Sequence, residues 1–509
     1  MIISADKGNK TVVLDKDLYL AKLRDRTSAH NLTNFDPAIA HEDALNATID
    51  IIMASTSNIK DKPELILRRS ELKRFMTKDA FSPWLHGLIK LHKQGFPLRE
   101  ISDATSSPGH ALGKMLNKIF ADYTGNTKHH LSSHTEVIPL LGTGRFDGGF
   151  FVSCDAVELY PSIIIRDGLE LLEEKMNRDK TWTKKTDLTR QEVLQLTKIL
   201  VSEPYFQCEE GFFNQSKGTP MGGPLSRFFA DLIIENKIEA KIQSNRAWKG
   251  HFNWVRLVDD TFFNWTGTID DLHRFKDFLN SLYGPIKWTM EIEENNTFHI
   301  FDIQLHRIGD KIETSVYRKP SVSDRYLHFT SAQALHERLA AIHTLTKRAH
   351  DYCSTKALLE AELSYIKSIF VDNGFPLEVI ENVLNRKSQQ WESEGNVDIL
   401  DENANNKPEV DYSKAYYAPY HPKAAKMFRT LKKKFNIDCV YKKTTTLGNY
   451  FFKRRPKQDI WDTTHVCYQV PCGECPMKYI GHTKRKLRTR VLKEHKRSCE
   501  GDLTNICST

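Results

Sequence analysis

With 509 residues, 40% of them apolar, the chain has length for about three domains and enough apolar side chains to bury their cores. No run of eighteen apolar residues occurs, the N-terminus lacks a signal-peptide pattern, and the nine cysteines follow no regular framework, so the expectation is a soluble, intracellular protein of a reducing compartment that meets no membrane. The net charge of +8 is uneven: from Lys423 to Arg497 basic residues greatly outnumber acidic ones, with clusters at Lys432-Lys433-Lys434, Lys453-Arg454-Arg455 and Lys484-Arg485-Lys486 that read either as a solvated face or, better, as a surface for phosphate backbones.

In chain order, residues 1–149 mix short β-runs such as Thr11 to Leu14 with helical stretches at Ala38 to Ser55 and Leu112 to Tyr123. Residues 150–310 alternate strands with amphipathic helices. The strand-like run from Phe150 to Tyr160 carries Asp155, and a Gly/Pro-rich loop, Gln215 to Ser226, feeds an apolar helical stretch from Arg227 to Ile242. The β-run from Trp254 to Trp265 carries Asp259 and Asp260, followed by a helix from Ile269 to Tyr283 and a strand from Trp288 to Ile292. Leu335 to Asn373 has helical spacing, with Leu335, Leu339, Ile342 and Leu345 on one face, and residues 386–415 are polar, aperiodic and read as a linker.

The acidic residues carry the chemistry. An isolated Asp-Asp pair is a turn signal. Carboxylates gathered from two β-runs have another use, because divalent cations overcome their repulsion and a pair of Mg²⁺ ions can clamp the attacking and leaving oxygens of phosphoryl transfer. An Asp-bearing strand, a Gly/Pro loop into a helix and a β-run with Asp-Asp, in that order, resemble motifs A, B and C of reverse transcriptases.

The resemblance narrows to one family. Ala5-Asp6-Lys7-Gly8-Asn9, Gly87 to Lys93 with Pro97-Leu98-Arg99, Val316-Tyr317-Arg318-Lys319-Pro320, and Asp324 to Phe329 look like signatures of Penelope-like retroelement reverse transcriptases, whose polymerase is fused to a GIY-YIG endonuclease. The resemblance implies an α+β right-hand polymerase with fingers at 1–149, palm at 150–310 and helical thumb at 311–385, then the linker, then a basic connector and a small, incomplete α/β GIY-YIG domain at 416–509. It implies catalytic carboxylates Asp155, Asp259 and Asp260 sharing two Mg²⁺ ions, with Mn²⁺ as a substitute. Lys93 and Arg99 match the fingers cations that grip the triphosphate, and Gln215, Gly218, Met221, Gly222 and Gly223 the loop beneath template and nucleotide. Their alternatives are a surface pair for the first two and a plain turn for the glycines. Tyr160, five residues after Asp155, occupies the steric-gate position, where a phenol collides with a ribonucleotide 2′-hydroxyl; its alternative role is core packing at the strand end. Partners implied are an RNA template, a DNA primer or target and deoxynucleoside triphosphates, with action in the nucleus.

Near the C-terminus, Val466-Cys467-Tyr468 and Tyr479-Ile480-Gly481 look like the two halves of the nuclease motif. Tyr468, Tyr479 and Arg490 match three site residues, with His495 close behind, but Val466-Cys467 stands where Gly-Ile is expected and the sequence ends before the glutamate expected to hold the metal. By resemblance the family extends past both ends of this sequence, so the expectation is a remnant that binds DNA but cleaves poorly or not at all. Cys472 and Cys475 have zinc-knuckle spacing, with His495 as third ligand; a lone CxxC reads equally as two incidental cysteines. Two readings from other classes compete. A domesticated, non-catalytic nucleic-acid-binding protein is expected to have lost a palm aspartate or the gate tyrosine, and a nuclease with a scaffold polymerase region is expected to keep its glutamate.

Overall fold

A computed structural model describes residues 1–8, 10–55, 65–77, 79–142, 146, 148–245, 247–248, 253–309, 311–394, 415–437, 439–441, 460–471 and 477–491. The N-terminal part comprises β1 (Ile2–Ser4), β2 (Thr11–Val13), α1 (Lys16–Thr27), β3 (Asn31–Thr33), α2 (Pro37–Ala54), β4 (Trp84–Ile89), β5 (Leu98–Asp103), α3 (His110–Phe120) and α4 (Val137–Leu141). Asp15 and Asp36 cap α1 and α2 by accepting from Asp17 N and Ala38 N, and Pro37 follows its cap where its missing N–H is not needed.

Next come β6 (Phe150–Val157), α5 (Ile165–Arg178), α6 (Arg190–Ser202), β7 (Tyr205–Cys208), β8 (Gly211–Asn214), α7 (Ser226–Ile233), a π-helical turn (Ile234–Glu239), α8 (Ala240–Ser244), β9 (Val255–Leu257), β10 (Asp260–Trp265), α9 (Ile269–Leu282) and β11 (Lys287–Ile292). The helical stretch expected from Arg227 to Ile242 therefore contains a π turn, and the β-run expected from Trp254 to Trp265 is two strands joined at Val258-Asp259. β6, β9, β10 and β11 form an antiparallel sheet in the order β11-β6-β10-β9.

Both faces of the inner part of that sheet are covered, which explains why β6 and β10 read as apolar runs, while the edge strand β11 alternates buried and exposed residues. Phe263, Trp265 and Trp288 pack against Phe275 of α9 and the helices α3, α5, α6 and α7 in the main core, while Phe151 and Phe262 join Phe298 and Leu305 in a second core on the other side. The second core rests on a three-stranded meander, β12 (Thr297–Ile300), β13 (Ile303–Ile308) and β14 (Lys311–Val316).

The division at 149/150 does not follow the sheets. β7 and β8, from beyond it, complete a five-stranded sheet with the N-terminal strands in the order β3-β8-β7-β4-β5, and the main core runs from Leu45 to Trp288. Three helices follow, α10 (Leu335–Tyr352), α11 (Lys356–Asp372) and α12 (Leu377–Glu394). Ile342 and Leu345 are buried as expected and Leu339 packs beside them, but Leu335 is exposed at the helix start. Residues 386–394, read as linker, continue α12; 395–414 lie outside the described residues. A parallel pair, β15 (Tyr416–Ala418) and β16 (Cys439–Tyr441), flanks α13 (Pro422–Phe435), and β17 (Val466–Pro471) pairs antiparallel with β18 (Lys478–Thr483). Among the described residues no helix is long and apolar enough to cross a membrane.

Candidate active site

The register of the central sheet sets Asp260 directly opposite Asp155. Asp260 opens β10, and Leu257 pairs with it across a two-residue turn of Val258 and Asp259, so Asp259 stands at the tip beside the other two. Val258 lies in the left-handed region, φ 60°, which a β-branched residue enters only under constraint. The constraint is Arg256: its guanidinium donates to the Val258 carbonyl at 2.8 Å.

Arg256 is fully buried and donates to Asp231 Oδ1 at 2.6 Å and Glu239 Oε1 at 2.8 Å, with Glu235 at 3.6 Å. Burial lowers the guanidinium pKa, but the charges of Glu239 and Asp231 outweigh it and hold the group above its ordinary value. Glu235 is pushed up by burial, although the Gly125 amide and Arg256 oppose the shift. Asp231, Glu235 and Glu239 recur every four residues through α7 and the π turn. The wider turn offsets the rotation that such steps accumulate along an α-helix, so all three meet one arginine.

The site carboxylates repel one another. Asp260 is pushed up to about 6, first by partial loss of solvation and then by Asp259 and Asp155, against the pull of Lys319 and Lys7. Asp155 is raised by the same loss of solvation and by Asp259, against Lys7 and Lys93. Both keep an exposed face. Among the described residues no group of three or more His, Cys, Asp or Glu side chains is arranged to hold a metal ion unaided. Mg²⁺ is commonly bound through one or two carboxylates with waters and substrate phosphates supplying the rest. Asp155, Asp259 and Asp260 fit that pattern, in which substrate completes the site.

The nucleotide-binding candidates surround this centre. Arg99, on β5, sits with its Nε 2.8 Å from Asp6 Oδ1; Lys93 lies exposed in the turn between β4 and β5. Tyr160 begins the 3-10 turn after β6, and its half-buried hydroxyl is raised by burial and then by Asp259. Its carbonyl accepts from Thr219 N at 2.9 Å, and a Cβ on Gly218, φ 69°, would overlap that carbonyl and the Pro161 backbone. Gln215 closes the other end of the loop, its Nε2 donating to the Lys217 carbonyl at 2.7 Å. Ser102 N donates to the Met221 carbonyl at 3.0 Å, laying Gly222 against β5, and Gly223 N donates to the Pro220 carbonyl at 3.1 Å. The loop thus bridges the Tyr160 turn and β5. A pocket lined by His41, His110, Tyr205, Thr219 and Pro220 shares this loop but contains none of the three aspartates.

Two basic residues that sequence reasoning did not assign stand here as well. Lys7 and Lys319 are felt by Asp260, and Lys7 is lowered by burial and then by Lys319 and Arg99. Both lie in segments singled out only as family signatures, more than three hundred residues apart, so nothing in the sequence joins them.

In the C-terminal hairpin Tyr468 pairs with Gly481 and Val470 with Tyr479. The rings of Tyr468 and Tyr479 are 6.2 Å apart, and Arg490 Nε donates to the Tyr468 hydroxyl at 3.1 Å, so the three half-motif residues do meet. Cys472, Cys475 and His495 lie outside the described residues. The adjoining turn reaches the N-terminal part: Lys486 Nζ donates to the Ala80 carbonyl at 2.7 Å and Thr489 Oγ1 to Asp79 at 3.1 Å.

Residues 325–385, spanning α10, α11 and the start of α12, match the family described as animal helix-turn-helix domain, a small part of the chain. No curated protein matches the chain. Telomerase from Candida albicans in complex with a TWJ fragment of telomeric RNA is similar over 77% of this chain and 68% of its own, at 11% identity and a TM-score of 0.46. Apo telomerase from Candida tropicalis is similar over 77% and 66%, at 10% identity and 0.41, and the 3Dpol RNA-dependent RNA polymerase of Sicinivirus over 75% and 88%, at 12% and 0.41. This chain spans about two thirds of those telomerase chains. At these scores none of them fixes an activity for it.

Proposed function

We propose that the chain is a nucleic-acid polymerase, an RNA-directed DNA polymerase of the Penelope-like kind that extends a DNA 3′ end. The observation that carries this reading is the register setting Asp155 against Asp260, with Asp259 held beside them by a strained, arginine-braced turn. Three neighbouring carboxylates that repel one another have a use when cations arrive with the substrate. Two bound Mg²⁺ ions would activate the primer 3′-hydroxyl and stabilise the leaving pyrophosphate. Asp155, Asp259 and Asp260 would hold them. Lys93 and Arg99 would grip the triphosphate, and the Gln215–Gly223 loop would pack beneath the new base pair. Tyr160, braced through its carbonyl by Thr219, would exclude a 2′-hydroxyl and so select deoxynucleotides.

The finer assignment, to a retroelement enzyme that works in the nucleus during transposition, rests on the sequence motifs. The Tyr468–Arg490 contact supports a GIY-YIG-like segment that binds DNA, and Cys472, Cys475 and His495 are its proposed zinc ligands. The test is primer extension on poly(rA) with oligo(dT), dTTP and Mg²⁺. The wild type should extend, and Asp259→Asn should lose about 10³-fold or more, as expected when several kcal/mol of transition-state stabilisation goes. Tyr160→Ala should gain use of rUTP. A folded wild type that binds the primer–template without extending it would place the binding-only reading first.

A further inference from the structure

We infer that Lys7 and Lys319 form a second phosphate-binding pair at this centre, receiving the β- and γ-phosphates of the incoming nucleotide. The inference deepens the polymerase reading and rests on it. Its basis is how two distant segments are locked together. The N-terminal loop runs beside β4, with Ala5 bridged to Ile89 and Asp6 N donating to the Ile89 carbonyl at 2.9 Å. One residue beyond Lys7, Gly8 adopts φ 84° and presses so closely on the Ser321 carbonyl that a Cβ would overlap it. Ser321 is two residues past Lys319, so this contact fixes the two lysines as neighbours.

The residues around them are occupied elsewhere. Arg318 turns away to helix α11, where Glu362 accepts from it at 2.7 Å and the Tyr365 ring lies 4.1 Å beneath its guanidinium, which leaves Lys319 exposed. Asp6, its side chain 5% exposed, is taken by Arg99. Among the described residues neither Lys7 nor Lys319 has an ion pair. Two ammonium groups brought together beside the aspartates are an arrangement that an anion completes. Arg99, already neutralised by an internal carboxylate, supplies less net charge to a triphosphate than its position suggests. Lys7 and Lys319 make up the difference.

The same chemistry would suit a backbone phosphate of the primer, and one set of measurements separates the two. Single-nucleotide incorporation with dTTP on poly(rA)·oligo(dT), inhibition by inorganic pyrophosphate, and primer–template binding without nucleotide would be compared for wild type, Lys7→Ala, Lys7→Arg and Lys319→Ala. Each alanine variant should raise the KM for dTTP roughly tenfold or more and weaken pyrophosphate inhibition in parallel, with primer–template affinity unchanged; Lys7→Arg should stay near wild type. Lys319 is exposed, so its variant guards against a folding defect at Lys7. An unchanged KM in both alanine variants overturns the inference while leaving the polymerase reading intact, and weakened primer–template binding at constant KM overturns it in favour of a backbone phosphate. If the wild type does not extend, the polymerase reading fails. Binding of Mg²⁺·dTTP to the protein, measured by equilibrium dialysis, then decides: equal affinity in wild type and Lys7→Ala removes the pair.

Discussion

Asp260 is the residue in which the competing forces are most visible. Its carboxyl is pushed up to about 6 in the folded chain, from an ordinary value of 3.8, by partial loss of solvation and by its two neighbours. A raised carboxyl pKa means that the folded state binds the proton more tightly than the unfolded state, so this group opposes folding once it ionises. Its unfavourable contribution is absent below about pH 4, grows as pH rises to about 6, and is constant above. Metal-free protein should therefore lose stability across that window, and Asp260→Asn should flatten the decline when thermal unfolding is followed from pH 4 to 7. An equal slope in the variant would mean that the repulsion from Asp155 and Asp259 is already relieved. The sequence disclosed the identity of these carboxylates. It did not disclose their register, which depends on which strands pair.

At the scale of elements, the decisive connection runs from the α7–π–α8 segment to the β9–β10 turn through Arg256. Replacing it by alanine leaves Glu239 buried without its cation, leaves Asp231 with only the more exposed Arg227 at 3.6 Å, and releases the Val258 carbonyl. Arg256→Ala should lose about 3–5 kcal/mol in chemical denaturation, the range for breaking a buried charge network. Loss of less than about 1 kcal/mol, the range of an exposed pair, would show that the acids simply take up protons. This connection also explains what the sequence concealed. Trp254 to Trp265 reads as one β-run because its strands are covered on both faces and Val258 is a strong β-former; the turn is braced by the Arg256 side chain, which the distant Asp231 and Glu239 hold in place. The helix α9, by contrast, was legible to within a residue, since Thr268 caps it and Leu272, Phe275 and Leu279 keep helical spacing. The polar tract from 386 was misleading because α12 continues through it to Glu394 on helix-forming residues without an apolar stripe.

For the whole molecule, the order of motifs along the chain was legible and their convergence was not. β7 joins β4 across more than a hundred residues, with Gln207 N donating to the Pro83 carbonyl at 2.8 Å, so one sheet draws on both sides of the expected domain boundary. The loop at Gly8 meets Ser321 in the same way. Such pairings follow from how packed layers close, which no local pattern encodes. What they produce is one centre assembled from β6, the β9–β10 turn and the basic loops around it. The most direct test of that centre is single-turnover addition of dTMP to oligo(dT) on poly(rA) by wild type, Asp155→Asn, Asp260→Asn and the double variant. If the two aspartates act as a unit, each single variant loses nearly all activity and the double variant loses little more. Losses that multiply, or a single variant that retains wild-type addition, would contradict a shared catalytic centre.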